Sequence, residues 1–138
     1  MSGGIDPLSG FLGFRWEAHD RLRLTIGDDH INPAGLLSGA VSYALVDYCM
    51  GSTLWKELRD DERIATIGIS MNYVQTAREG DVICECTLDR RNDRIAVLRG
   101  EVRHEDGRLL ATAIGSFAIF PRDRLGGHER RAPAPGGG

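Results

Sequence analysis

Asp47 stands inside "SGAVSYALVDYCMGSTLW" (Ser38–Trp55), a stretch with the composition of a buried helix. A charge buried there without a partner costs several kcal/mol, on the order of the whole stability of a small domain. At about 100° per residue, Val41, Ala44, Leu45, Tyr48, Ser52 and Trp55 share one stripe, and Asp47 falls among Ala40, Tyr43, Gly51 and Leu54. No basic residue lies three or four positions away, so no helical ion pair explains it. Either Asp47 meets solvent or a hydrogen bond from a distant strand, or it is kept for chemistry, where a carboxylate can take up a proton or attack an electrophile. The polar helix positions Ser42, Thr53, Lys56 and Glu57 lie on another side, which favours the second reading.

The start of the same helix carries a second signal. "NPAGLLSGA" brings small residues to a first turn whose backbone N–H groups lack intrahelical partners. Gly39 leaves one of them uncovered, and a helix N-terminus favours negative charge. That is the geometry of an oxyanion hole, with donors waiting where a carbonyl oxygen gains charge. The plainer reading is that Ser38 caps the helix and Gly39 only packs.

The elements that must position these groups follow from the patterning. With 138 residues the chain fits one domain, and 41% hydrophobic with 27% charged content is ordinary for a globular protein. A formal charge of −3 gives no broad basic surface, which argues against nucleic-acid binding. "MSGGIDPLSG" lacks the basic and apolar regions of a secretion signal, and no apolar run reaches membrane-spanning length, so a cytoplasmic protein is expected. Cys49, Cys84 and Cys86 suit neither a metal knuckle nor a disulfide framework and read as small buried thiols. His19, His30, His104 and His128 are scattered without ligand spacing, so no metal site is expected.

Residues 1–10 read as a flexible N-terminus, 11–122 as the domain and 123–138 as a disordered tail. "RLRLTI" (Arg21–Ile26) alternates as a half-buried strand, and the loop "DDHINPAG" follows. The helix is expected over Gly39–Leu58. Strands are expected over Ile64–Val74, Asp81–Arg90, Ile95–His104 and Arg108–Phe120, with Asp106-Gly107 as a tight hairpin turn. This order predicts an α+β fold with one helix on an antiparallel sheet. A helix apolar on nearly every side needs a curved sheet or a partner subunit around it, and dimerisation would also cover a sheet edge.

Asn32, Pro33, Gly35, Leu37, Gly39 and Asp47, followed by Thr66, Ile69, Tyr73, Ala77, Arg78, Gly80 and Asp81 in "TIGISMNYVQTAREGD", resemble the hotdog-fold acyl-CoA thioesterases of the phenylacetic-acid-degradation (PaaI-like) branch. The match runs from about Phe14 to Phe120. Ser38 replaces the family's histidine, Ala40 its second glycine and Thr76 the proline of its P-A-R turn. The resemblance implies a curved antiparallel sheet wrapped around one long central helix. It also implies homodimers or homotetramers, with active sites at the dimer interface.

It implies hydrolysis of an acyl-CoA thioester, with coenzyme A as part of the substrate and no other cofactor. Asp47 would be general base or nucleophile, and the Gly39 N–H would polarise the carbonyl. Asn32 would hold substrate or a water, and Thr66 would orient water or Asp47. Leu37, Ser38 and Tyr73 would line the substrate, and Arg78, Arg90, Arg91 and Arg94 are candidates for the CoA phosphates. Two other classes stay open: a hydratase or dehydratase using His30, and a non-catalytic acyl-CoA-binding module.

Overall fold

The computed structural model describes residues 4–123. The elements run α1 (Pro7–Leu12), β1 (Arg15–Ala18), β2 (Arg21–Thr25), α2 (Gly39–Trp55), β3 (Glu62–Tyr73), β4 (Asp81–Arg91), β5 (Ile95–His104) and β6 (Leu109–Pro121). The strands form one antiparallel sheet in the order β1-β2-β4-β5-β6-β3. The sheet wraps α2, as the sequence predicts. Because β3 follows α2 in the chain but pairs with β6, it closes the far edge of the sheet, and its outer side is unpaired in the chain.

The alternation read from the sequence is the alternation that packs. Leu22 and Leu24 of β2, Val82 and Cys84 of β4, and Leu98 and Val102 of β5 are fully buried on one face. Against them α2 buries Val41, Leu45, Val46, Cys49, Met50 and Leu54. Ser42, read as a polar-side position, is buried as well. The approach of helix to sheet is close at β6, where a Cβ on Gly115 would lie 2.6 Å from Met50 Sδ.

Three elements differ from the expectation. The helix stops at Trp55, short of Leu58, because Glu57 N–H and Leu58 N–H bond three residues back, to Leu54 and Trp55, and tighten the chain into a turn. Strand β1 was not foreseen; it carries only four residues, with Trp16 buried. Residues 7–10 are not loose as expected but belong to α1, which Asp6 caps with a reciprocal Ser9 contact. The Tyr48 hydroxyl donates to both oxygens of Asp6 at 2.8 and 3.0 Å and pins this helix onto α2. The expected disordered tail lies outside the described residues, apart from Asp123. No described helix is long and apolar enough to cross a membrane.

Candidate functional site

The loop before α2 is built to aim its first turn. Asn32 Oδ1 accepts from Ala34 N–H (2.9 Å) and Leu36 N–H (3.1 Å), a side chain standing in for a backbone turn. Gly35 completes the turn at φ 78°, in the left-handed region that favours glycine. Leu37 N–H donates to Ala77 C=O and Ser38 N–H to His30 C=O, both at 2.8 Å, so the segment entering the helix is fixed from two sides. Ser38 is the N-cap, its Oγ accepting from Ala40 N–H at 3.2 Å. The Gly39 N–H takes no acceptor among the described residues. The carboxamide oxygen of Asn32 is thus committed to the loop, and its structural work accounts for its place in the motif.

Tyr73, from the exposed end of β3, closes over this turn. Its hydroxyl donates to Gly39 C=O at 2.7 Å, and a Cβ on Gly39 would meet the phenol ring at 3.3 Å. Partial burial, with Tyr43 nearby, holds the Tyr73 phenol above its ordinary pKa, so it stays a donor at neutral pH. Two turns further along α2, half-buried Asp47 accepts a 2.8 Å hydrogen bond at Oδ1 from the Thr66 hydroxyl of β3. Thr66 sits beside a bulge in which Ile67 has no register partner on β6. That bond partners one carboxylate oxygen and leaves the other facing the exposed flank of β3.

Gly39 and Asp47 are eight residues apart on one straight helix, about 12 Å at 1.5 Å per residue. A carbonyl held by the Gly39 N–H therefore lies beyond reach of the same chain's Asp47, because reacting atoms must approach to about 3–3.5 Å.

The sequence profile of the thioesterase superfamily matches residues 34–111, from the loop through most of the sheet. The chain belongs to the thioesterase superfamily. It is 29% identical over 121 residues to the 1,4-dihydroxy-2-naphthoyl-CoA hydrolase of Escherichia coli, covering 85% of this chain and 89% of that protein. It is 27% identical over 93 residues to the medium/long-chain acyl-CoA thioesterase YigI of Salmonella typhimurium. That match covers 62% of this chain and spans only 60% of the Salmonella protein. Among solved structures, a Pseudomonas aeruginosa thioesterase superposes with a TM-score of 0.79 at 19% identity, covering 83% of this chain and 86% of that one. A Bacillus halodurans protein solved with CoA gives 0.78 at 22% identity, covering 82% and 75%. Both structural likenesses speak to the fold, which is the hotdog thioesterase fold.

Within this thioesterase-superfamily chain the four candidate arginines separate. Arg78 is exposed beside the loop, its Nη1 3.9 Å from where a Cβ on Gly35 would stand. Arg90, Arg91 and Arg94 lie at the other end of the sheet, since Arg91 pairs with Ala96 while Glu62 pairs with Pro121. Arg91 is not free for a ligand. It grips buried Glu62 with two bonds of 2.8 and 3.0 Å and reaches Glu57 C=O, closing the C-terminal end of α2 against the sheet. The Arg91 guanidinium pulls the Glu62 carboxyl down to about 2 against its burial. Spacing alone could not separate this arginine from its neighbours; the cue was its position on a strand opposite a glutamate. Arg90 and Arg94 are exposed and take no acceptor through their side chains among the described residues.

His30 is buried with both ring nitrogens engaged, Nδ1 accepting from Gly27 N–H (2.9 Å) and Nε2 facing Leu12 C=O (2.6 Å). It ties the loop to the end of α1. Cys49, Cys84 and Cys86 are buried and free, and their sulfurs converge within 4.8 Å of one another between α2 and β4, which their sequence spacing does not reveal. The neighbouring Cys49 thiol and burial push the Cys84 thiol well up, as suits protonated core thiols. Asp81, at the end of the "AREGD" turn, is held low by the Thr25 hydroxyl and by Arg23, and pins β4 to β2.

Proposed function

We propose that this chain hydrolyses acyl-CoA thioesters, and that its site joins the α2 N-terminus of one protomer to the Asp47 of a second. The observation that carries the reading is the pairing of an unpartnered first-turn N–H at Gly39 with a Thr66-oriented carboxylate about 12 Å away on the same helix. Both halves of an acyl-transfer site are present, and one chain cannot use them together. Two chains joined along the exposed β3 edges by a two-fold axis would run their helices antiparallel, so each helix start would face a later turn of the other.

In this reading the thioester carbonyl accepts from the Gly39 N–H, which stabilises charge as the tetrahedral intermediate forms. The partner's Asp47 either removes a proton from the attacking water or attacks the carbonyl carbon itself, giving a mixed anhydride that water then opens. In both routes the C–S bond breaks, CoA leaves as the thiol and the acid is released. Thr66 keeps the carboxylate turned toward the substrate. Leu37, Ser38 and Tyr73 line the acyl side, and exposed arginines meet the CoA phosphates. The branch of the superfamily is the PaaI-like one, on the motif order around Asn32–Asp47 and Thr66–Asp81. The reaction asks for no cofactor beyond the CoA of its substrate, and the three free thiols suit a reducing cytoplasm.

The engagement of both His30 nitrogens in the loop argues against a hydratase that would use this histidine. A panel of aromatic and aliphatic acyl-CoA thioesters tests the reading, with Asp47→Asn as control. Turnover by the wild type and a loss of at least ~10²-fold in Asp47→Asn are expected, the usual contribution of a positioned acid–base group. CoA binding without turnover would mean a non-catalytic module instead.

A further inference from the structure

The second strand end near Gly39 forms a concavity of about 510 Å³ lined by Leu36, Thr76, Ala77, Arg78, His104 and Arg108, with Glu79 at its margin. Its place relative to the candidate oxyanion donor is fixed by backbone bonds. Leu37 N–H donates to Ala77 C=O, two residues before Gly39, and Tyr73 bonds Gly39 just before β3 runs out into the Thr76–Glu79 turn. Val74 N–H and Gln75 N–H both donate to Leu110 C=O, which brings the start of β6, and so Arg108, beside that turn. The Arg108 Nη1 donates to Thr76 C=O at 3.2 Å, and its Nε to Asp106 at 2.9 Å. His104 links the two walls, its Nε2 facing Glu79 C=O at 2.8 Å and its Nδ1 accepting from Asp106 N–H.

Two guanidiniums therefore face one hollow against a single lining carboxylate. Arg78 takes no acceptor among the described residues, while the Arg108 bonds run through Nε and Nη1 and leave Nη2 without one. From this arrangement we infer that the concavity seats the phosphate-bearing nucleotide end of the substrate's CoA, with Arg108 as a specificity residue beside Arg78. The inference rests on the acyl-CoA reading above and assigns the nucleotide to the loop end of the sheet, away from Arg90 and Arg94. The route from Gly39 past Leu37 and Ala77 to Arg108 suits a pantetheine arm, whose length is roughly that of four to five extended residues. Arginine forks suit phosphate oxygens because two parallel N–H groups match two oxygens, and a half-exposed hollow keeps that attraction from being fully screened.

The test compares one acyl group carried on CoA, on 3′-dephospho-CoA and on pantetheine, with wild type, Arg78→Ala, Arg108→Ala, Arg108→Lys, Arg90→Ala and Arg94→Ala. Arg78→Ala and Arg108→Ala are expected to raise KM for the CoA thioester by about 10-fold with kcat nearly unchanged, and to leave the pantetheine thioester untouched. Arg108→Lys should recover part of the loss, and the dephospho substrate tells whether the 3′-phosphate or the pyrophosphate is held. Arg90→Ala and Arg94→Ala should behave as wild type. Equal losses on CoA and pantetheine thioesters would show that Arg108 only braces the Thr76 turn, and an unchanged KM for CoA would overturn the assignment. If the wild type hydrolyses none of the three, the function proposed above fails. CoA affinity measured by calorimetry then decides this inference alone: weaker binding by Arg108→Ala supports it, and equal binding rejects it.

Discussion

Ser38 and Gly39 divide one job between a side chain and a backbone. Ser38 Oγ caps Ala40 N–H, while the Gly39 N–H is left open, so the candidate oxyanion donor belongs to the helix and not to the serine. Ser38→Ala is accordingly expected to cost less than ~10-fold in kcat/KM, through a looser first turn. Gly39→Val should cost far more. Its Cβ would press on the Tyr73 ring from 3.3 Å, and its branch would occupy the space a carbonyl needs. Steady-state kinetics on the best acyl-CoA decides this. A serine variant as damaged as Asp47→Asn would make the hydroxyl a chemical participant. At this scale the sequence was informative where an oddity was visible. Asp47 stood out as a carboxylate without a helical partner, and Thr66 came from the motif. The loop role of Asn32 and the ion pair of Arg91 were not legible, because each depends on a partner fixed only by the folded backbone.

The clearest element-scale device is the clasp of Arg91, on β4, onto Glu62, at the start of β3. It holds the edge strand and the C-terminal end of α2 to the rest of the sheet, with Arg59 as a second cation on the same carboxylate at 3.1 Å. The Glu62 carboxyl lies near 2 in the folded chain, against an ordinary 4.5. A depressed carboxylate stabilises the fold fully above the unfolded value and loses that contribution as pH falls from 4.5 toward 2. Thermal melts across that window should show a drop in Tm that flattens in Glu62→Gln. Arg91→Ala at neutral pH should cost roughly 2–4 kcal/mol by leaving a buried carboxylate short of its main partner. An acid slope in Glu62→Gln equal to that of the wild type would place the stabilisation elsewhere. Periodicity revealed β2, β4, β5 and β6 to within a residue or two at each end. It missed β1 and α1 because six- and four-residue elements carry too few repeats, and α1 depends on the tertiary tie between Asp6 and Tyr48.

For the whole molecule, the decisive feature is what β3 leaves uncovered. Twelve residues long, it ends the sheet with its outer edge unpaired, and Ile67 and Tyr73 are more than half exposed on it. A long, uncharged strand edge is a surface that proteins cover. Light scattering at micromolar concentration should therefore give at least twice the 15.1 kDa mass of one chain, and a monomer would remove the shared site at once. The wrapped helix was legible in the sequence because a helix apolar on almost every side has no other way to be buried. The separation of Gly39 from Asp47 was legible too, in a count of residues, but it gains meaning only when both groups are seen to be available.

Subunit complementation tests that division of labour most directly. Gly39→Val and Asp47→Ala chains, each inactive alone, would be mixed in equal amounts and allowed to exchange subunits, with heterodimers quantified through a mass tag. In a heterodimer, one of the two shared sites receives the native helix start from one chain and the native carboxylate from the other. Random exchange should thus restore about a quarter of wild-type activity, since half the dimers carry one intact site out of two. Heterodimers that form in full yet show no thioesterase activity would contradict a site built from two protomers.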